Sequence, residues 1–431
     1  MIIFILILMV LLSLILTVVS RDMFNNIINP ISIYSIWWTI NSIISSLGLF
    51  GLFKPDVDVY MMVLLSIIAF SVGCIIIVSK RDKTGNLKKI DIKSNDIKGN
   101  VNYRNVIVIN LAAILFMIPY TLEAIEIFIN HGAAILRAVS LSEDGLTGSL
   151  LNLVIIQWLV LGIFTATMIT ATIQLTLSKG KKILFFLALV VILVYTFTFG
   201  GRWIIYRFIV MLVLSSLFLK SFKKYDIKIL KRRKVTLLLS IVGIVSMLVI
   251  TSQRSLPGLS IAGNLVTYFT GSFTMLDILT NLESYPDIGG GYLFGFASIG
   301  GLIAPLLTTF SVITGIEILR PDEIVLGVTG QDYVIGTNTI YNAFATSLYT
   351  FGRDFGILGV IIIPFIFGIV CSLVFIYVKR KQSLRAYQLY IFFLYLIISS
   401  TMQWDLIHPW PWFTMFFLWV FTKKEKYKKI S

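Results

Sequence analysis

Long apolar runs recur eleven times along this chain, at 2–19, 31–53, 59–79, 105–128, 149–177, 183–199, 203–219, 235–251, 356–378, 386–403 and 411–422. Most are at or near the roughly 20 residues that cross ~30 Å of hydrocarbon as helix. A water-soluble chain of 431 residues with 57% apolar and 13% charged residues could not cover itself with polar groups. The fold class is therefore all-α: a polytopic integral membrane protein of about eleven transmembrane helices with a long external loop region. The first run lacks a basic start and a small-residue cleavage site, so it reads as a retained span rather than a signal peptide. No Pro-, Ser- or Gly-rich linker and no internal repeat interrupts the chain, so residues 1–431 read as a single membrane domain.

Basic residues collect on the cytoplasmic side of a membrane protein. If the loop at 80–104 is cytoplasmic, strict alternation puts 29 of the 36 Lys and Arg residues inside. The amino terminus is then outside and the carboxyl terminus cytoplasmic, as in a multi-pass protein of a bacterial plasma (inner) membrane. The net charge of +15 is explained by this sidedness and by contact with membrane lipids, so no nucleic-acid partner is expected. Seven basic residues escape it: Lys54, Arg137, Arg202, Arg207, Arg254, Arg320 and Arg353. Inside, lysine outnumbers arginine 22 to 7, whereas in the remainder arginine leads 6 to 1. A guanidinium binds phosphate through two parallel donors and stays charged when desolvated. An arginine-rich, lysine-poor outer face is what a diphosphate site needs.

Residues 252–355 form the longest segment without a clear span, and no lysine occurs between Val235 and Val378. Within it, 292–313 is apolar but broken by Gly295, Gly300, Gly301 and Pro305. Irregular backbone at membrane depth must be buried in protein or line a wet cavity. This segment is expected to hold re-entrant or surface helices, and two further crossings there would give thirteen spans. Its end carries Asn338, Tyr341, Asn342, Ala345 and Tyr349 at helical spacing, which predicts one polar-aromatic helix face suited to sugar or headgroups.

Several constellations can carry chemistry. Gly200-Gly201-Arg202 opens the run that contains Arg207, about 7 Å deeper at ~1.5 Å rise per residue. An ionisable residue at that depth marks function by default; the bland alternative is an arginine snorkelling to headgroups. Gly352-Arg353-Asp354-Phe355-Gly356 guards a second entrance. Arg254 and Arg320 are weaker phosphate candidates, as an interfacial anchor and a locally paired group respectively. Arg137 and His131 each read as structural. His408, in Trp404-Asp405-Leu406-Ile407-His408-Pro409-Trp410, and Asp354 are candidate bases for an acceptor hydroxyl, with Asp332 behind them. Asp56-Val57-Asp58 matches a two-carboxylate metal pattern too short to carry weight. No His/Asp/Glu cluster has metal-ligand spacing, so neither a metal nor a cofactor is expected.

The order of features resembles the bacterial O-antigen and capsular oligosaccharide repeat-unit polymerases, the Wzy-type family. The resemblance rests on Gly201-Arg202 at a span entrance, a basic cytoplasmic loop, a long external stretch, and Asn338, Tyr341, Asn342, Tyr349, Asp354, Gly356 and Gly359. An Arg-x10-Gly pattern described in some members is absent. The resemblance implies a GT-C-like, metal-independent membrane glycosyltransferase that polymerises polyprenyl-diphosphate-linked oligosaccharides on the outer face of the plasma membrane. The product would be O-antigen of a lipopolysaccharide or a capsule, with a flippase and a chain-length regulator as partners. Arg202, Arg207 and Arg353 would hold diphosphate; Arg254 and Arg320 would assist; Asn338, Tyr341, Asn342 and Tyr349 would contact substrate. Two other readings compete: an O-antigen ligase, which is expected to carry a histidine in its long external loop where 252–355 has none, and a lipid-linked oligosaccharide flippase or other transporter.

Overall fold

The computed structural model describes residues 1–81, 97, 99–141, 145–177, 179–221, 261–281, 291–316, 318–337, 339–342 and 344–423. It is an α-helical, multi-pass membrane protein. Among the described residues seven helices are long and apolar enough to cross a membrane: Ile2–Phe24, Val57–Lys80, Tyr103–Gly132, Leu150–Thr176, Lys182–Phe199, Trp203–Lys220 and Ile357–Lys381. Three other expected spans are shorter helices, Pro30–Ser46, Leu384–Ser399 and Trp410–Val420. Local chemistry limits the first of these. Pro30 occupies its first turn and Asn29 caps it through a bond from Ser32 N, while Gly48 takes φ 60 just past its end. The run at 235–251 lies outside the described residues.

The chain groups into two compact units. The first comprises Met1–Ile90, Ala262–Ile376 and Leu396–Pro409; the second comprises Asp91–Ile261, Tyr377–Tyr395 and Trp410–Ser431. The boundaries near residues 376 and 395 fall inside the helices Ile357–Lys381 and Leu384–Ser399, which is why composition shows no seam.

In the first unit, two spans meet backbone to backbone. A side chain at Gly73 would strike the Phe365 carbonyl, and one at Gly368 would strike the Phe70 carbonyl. Cys74 Sγ donates to Gly368 O at 3.2 Å across the same crossing. Paired small residues let membrane helices approach until dispersion and polar contacts replace lipid contact. Trp37 Nε1 donates to Ile398 O at 2.9 Å and Trp38 Nε1 to Ser400 Oγ at 3.1 Å, tying Pro30–Ser46 to the turn after residue 396.

The segment expected as one helical face differs. Tyr333–Gly336 and Thr339–Tyr341 are antiparallel strands, the one departure from an all-α fold among the described residues. Val334, Ile335, Thr339 and Ile340 are β-branched and alternate about Gly336, which favours period 2 over 3.6. Thr339 and Tyr341 are buried while Ile340 is exposed, and Asn342 is exposed beyond them. The hairpin is extended by Phe53 N to Ile335 O (2.9 Å) and Thr337 N to Gly51 O (3.0 Å). Helix resumes only at Ser347–Phe355. The broken apolar stretch forms turns and the helix Gly300–Thr314, whose 15 residues reach about 22 Å, short of a crossing.

The second unit is organised on Leu161–Thr176, every residue of which is buried. Its threonines bond outward: Thr167 Oγ1 to Asn110 Oδ1 (2.9 Å), Thr176 Oγ1 with Ser215 Oγ (3.1 Å), and Gln388 Nε2 to Thr170 Oγ1 (2.9 Å). Hydroxyls that also return to their own helix backbone can lie on all faces of a buried helix without leaving polar groups stranded in hydrocarbon.

Candidate functional site

In the second unit, Gly200 closes the helix Lys182–Phe199 in the left-handed conformation, and Arg202 caps the next helix, Trp203–Lys220. One and a half turns in, Arg207 is buried, with 3% of its surface exposed. Its Nε donates to Tyr395 Oη at 3.1 Å. Its guanidinium carbon lies 3.7 Å from the ring centre of Trp410 and 5.8 Å from that of Trp203, which itself stacks on Tyr206. Among the described residues no carboxylate pairs with Arg207, and its two Nη groups donate to none of them. The bond to Tyr395 uses one of the five N–H donors of a guanidinium, a group whose planar fork matches carboxylate and phosphate.

The loop arginine Arg137 comes to the same end of this unit. The helix Tyr103–Leu141 breaks at Gly132, with φ 82 and ψ 176. Leu136 then packs with Ala124 in one buried cluster with Leu146, flanked by Tyr120, Ile127, Phe128 and Val139. In a straight helix, residues twelve apart would be about 18 Å distant, so the chain reverses at Gly132. Thr121 Oγ1 meets Thr198 Oγ1 at 2.7 Å, which aligns this pair of helices with the turn at Gly200. The reversal brings Arg137 there: a Cβ built on Gly201 would lie 3.8 Å from Arg137 Nη1. Tyr195 is within electrostatic reach of both Arg207 and Arg137.

In the first unit, Arg353 and Asp354 lie in the helix Ser347–Phe355 with no exposed surface. The Asp354 carboxylate accepts from Gly295 N, Ala297 N and Ser298 N, each at 2.9 Å, and from Ser298 Oγ. Burial pushes its carboxyl above the usual carboxylate range, against the downward pull of those donors. Arg353 Nη2 donates to Gly291 O at 2.7 Å, and Leu293 N and Phe294 N donate to the Arg353 and Asp354 carbonyls. The dipeptide therefore ties residues 291–298 to this helix. Tyr349 is hydrogen-bonded to Arg353; burial pushes its phenol up, and the cation pulls back.

A shallow, open cleft lies beside this corner, lined among others by Thr329, Phe344, Tyr349, Gln403, Trp404 and His408. Trp404 Nε1 donates to Ser298 O at 2.7 Å, and Gln403 Nε2 donates to Asp405 Oδ1 at 2.6 Å. Gly301 packs on the His408 carbonyl, where any side chain would overlap it. Elsewhere in this unit Asp277 lies near Asp56 and Asp58, and burial raises its carboxyl. Among the described residues no three His, Cys, Asp or Glu side chains are arranged to hold a metal ion.

The residues singled out from the sequence thus separate. Arg202 and Arg207 belong to the second unit; Arg353, Asp354, Tyr349 and His408 belong to the first. Arg320 is spent locally, with Nε 3.1 Å from Asp322 and Nη2 2.8 Å from Glu323. Asn342 Nδ2 bonds Asp332 Oδ1 at 2.9 Å in an exposed pair, while Tyr341 is buried and its hydroxyl pushed well up by burial. Arg254 and Asn338 lie outside the described residues. Sequence reasoning read Arg137 as structural and gave no role to Tyr395, Trp410 or Gln403. Trp410 reads as an ordinary interfacial aromatic, and Gly132 was the one signal that the chain could turn before Arg137.

Comparison with known family models, curated proteins and solved structures returns no match for this chain.

Proposed function

We propose that this protein is an integral-membrane glycosyltransferase that polymerises polyprenyl-diphosphate-linked oligosaccharide repeat units into surface polysaccharide. The observation that carries this reading is Arg207: a buried cation, held by Trp410 and Tyr395, with no carboxylate partner among the described residues. In this reading the acceptor hydroxyl attacks the anomeric carbon of the growing glycan. The bond from that carbon to the lipid diphosphate breaks, and the diphosphate leaves with the electron pair. Arg202 and Arg207 stabilise the charge that develops on it, an interaction strongest in a site that excludes water. Both Asp354 oxygens are committed to donors of residues 295–298 in the first unit, and the acceptor's proton is released to water. The arginine bias outside the cytoplasmic loops supports an external active face, with the amino terminus outside and the carboxyl terminus cytoplasmic, in a plasma membrane.

The test is the length distribution of surface glycan in cells lacking the gene. Collapse of the ladder to one repeat unit on its final carrier supports polymerisation. Long polymer retained on the polyprenyl lipid would mean a ligase instead. An unchanged ladder would overturn glycan assembly altogether.

A further inference from the structure

We infer that Arg137 is a second cation of the Arg207 site, delivered by the chain reversal at Gly132, and that the pair is built for a diphosphate rather than a single phosphate. The ligand's identity rests on the function proposed above; the two-cation geometry does not.

Arg137 and Arg207 come from helices that start far apart in sequence, yet both lie within electrostatic reach of Tyr195. Tyr195 is held in place by its bond to Gln157 Oε1 at 3.0 Å and its contact with Phe199, ring centres 4.8 Å apart. Arg137 stands beside the Gly200-Gly201 turn, its Nη1 3.8 Å from a Cβ built on Gly201, an ordinary contact distance. Like Arg207, it has no carboxylate partner among the described residues. Two guanidiniums with no carboxylate partner among the described residues, at one end of a membrane unit, repel each other, and an anion between them relieves that repulsion. One phosphate can saturate one bidentate guanidinium; a diphosphate presents two such groups joined through one bridging oxygen.

Gly132 is the device that brings the second cation in. Its φ of 82 with ψ of 176 is a backbone region that is essentially reserved for glycine. No heavy atom lies within 4 Å of a Cβ built there, so space does not dictate the glycine; conformation does. The reversal is secured by Leu136 on Ala124 and by Leu146 N to Val139 O at 3.3 Å.

The experiment is binding of inorganic pyrophosphate and of inorganic phosphate to the full-length protein in lipid nanodiscs, with melting temperature read alongside. Wild type is expected to bind pyrophosphate at least tenfold tighter than phosphate. Arg137→Gln should weaken pyrophosphate at least tenfold and phosphate less than threefold, with Arg137→Lys between. Gly132→Ala should lose the same preference although every charge is still present. Equal binding of the two anions by wild type, or pyrophosphate binding untouched by Arg137→Gln, overturns the inference; if Gly132→Ala does not fold, the Arg137 variants decide alone. An Arg137-dependent preference in a protein whose deletion leaves the glycan ladder unchanged would keep the site and remove the polymerase reading. A collapsed ladder with no Arg137 dependence would do the reverse.

Discussion

The guanidinium of Arg207 lies face-on to the indole of Trp410, 3.7 Å from its ring centre, where the helix Trp410–Val420 begins. A desolvated contact of this kind contributes about 2 kcal/mol or more. Trp410→Leu is therefore expected to lower the melting temperature and to shorten surface glycan, because the buried cation loses its principal support. Trp410→Phe, which keeps a weaker π face, should fall between. Thermal unfolding in detergent and a glycan ladder, run on the same variants, check this.

Arginine chemistry, not charge alone, is required at position 207. Lysine keeps the charge but offers neither the planar face for Trp410 nor the Nε donor to Tyr395. Arg207→Lys is expected to cut polymer formation at least ~10-fold, equivalent to about 1.4 kcal/mol in the barrier. Arg320→Ala is the contrast. Its partners Asp322 and Glu323 are neighbours in sequence, so the loss is at most ~1 kcal/mol of stability and the ladder should not change. Polymer yield per unit of inserted protein distinguishes the two.

Asp354 predicts a pH signature. Its carboxyl is raised by burial, so the folded state prefers it protonated. Its contribution to stability is fully present below the unfolded value of about 4 and is lost as pH rises through the raised folded value. Asp354→Asn should unfold at lower temperature than wild type, since an amide turns donors toward the N–H groups of Gly295 or Ser298. The gap between the two proteins should be widest in acid and narrow toward neutral pH. A gap that widens with rising pH would contradict this assignment.

The Gly73–Gly368 crossing should tolerate no side chain. Valine at either position meets a main-chain carbonyl of the facing helix, at Phe365 or Phe70, and backbone cannot yield as a side-chain tip can. Overpacking of this kind costs about 1–3 kcal/mol or more. Gly73→Val and Gly368→Val are each expected to reduce the yield of monodisperse protein, read by size-exclusion chromatography, whereas valine at exposed Ile361 on the same span should not.

Much of the scaffold is legible without coordinates, since hydrophobic length alone marks a span. Seven of the expected crossings appear as long apolar helices because nothing but helix satisfies the backbone in lipid. Local pattern fails where tertiary contacts choose between periods. Residues 338–349 fit a helical face on paper, yet Gly51 and Leu52 offer Gly336 and Thr337 a strand edge, and the hairpin forms instead. Arg320 shows the opposite case: its partners stand two and three residues away, and the sequence already pointed to local pairing.

Length and composition are enough to make this chain a multi-pass helical membrane protein, because the hydrocarbon thickness sets the length of an apolar run and few charges interrupt those runs. Only the tertiary structure decided which arginines are buried and which are paired. Arg207 and Arg320 look alike as letters; one is buried against Trp410 and Tyr395 with no carboxylate among the described residues, and the other is neutralised at home. Arg137 reaches the Gly200-Gly201 turn only because the helix breaks at Gly132, and the tie between Asp354 and residues 295–298 shows only once its four donors are seen. Burial and partnership set what a charge can do, and both depend on residues distant in sequence.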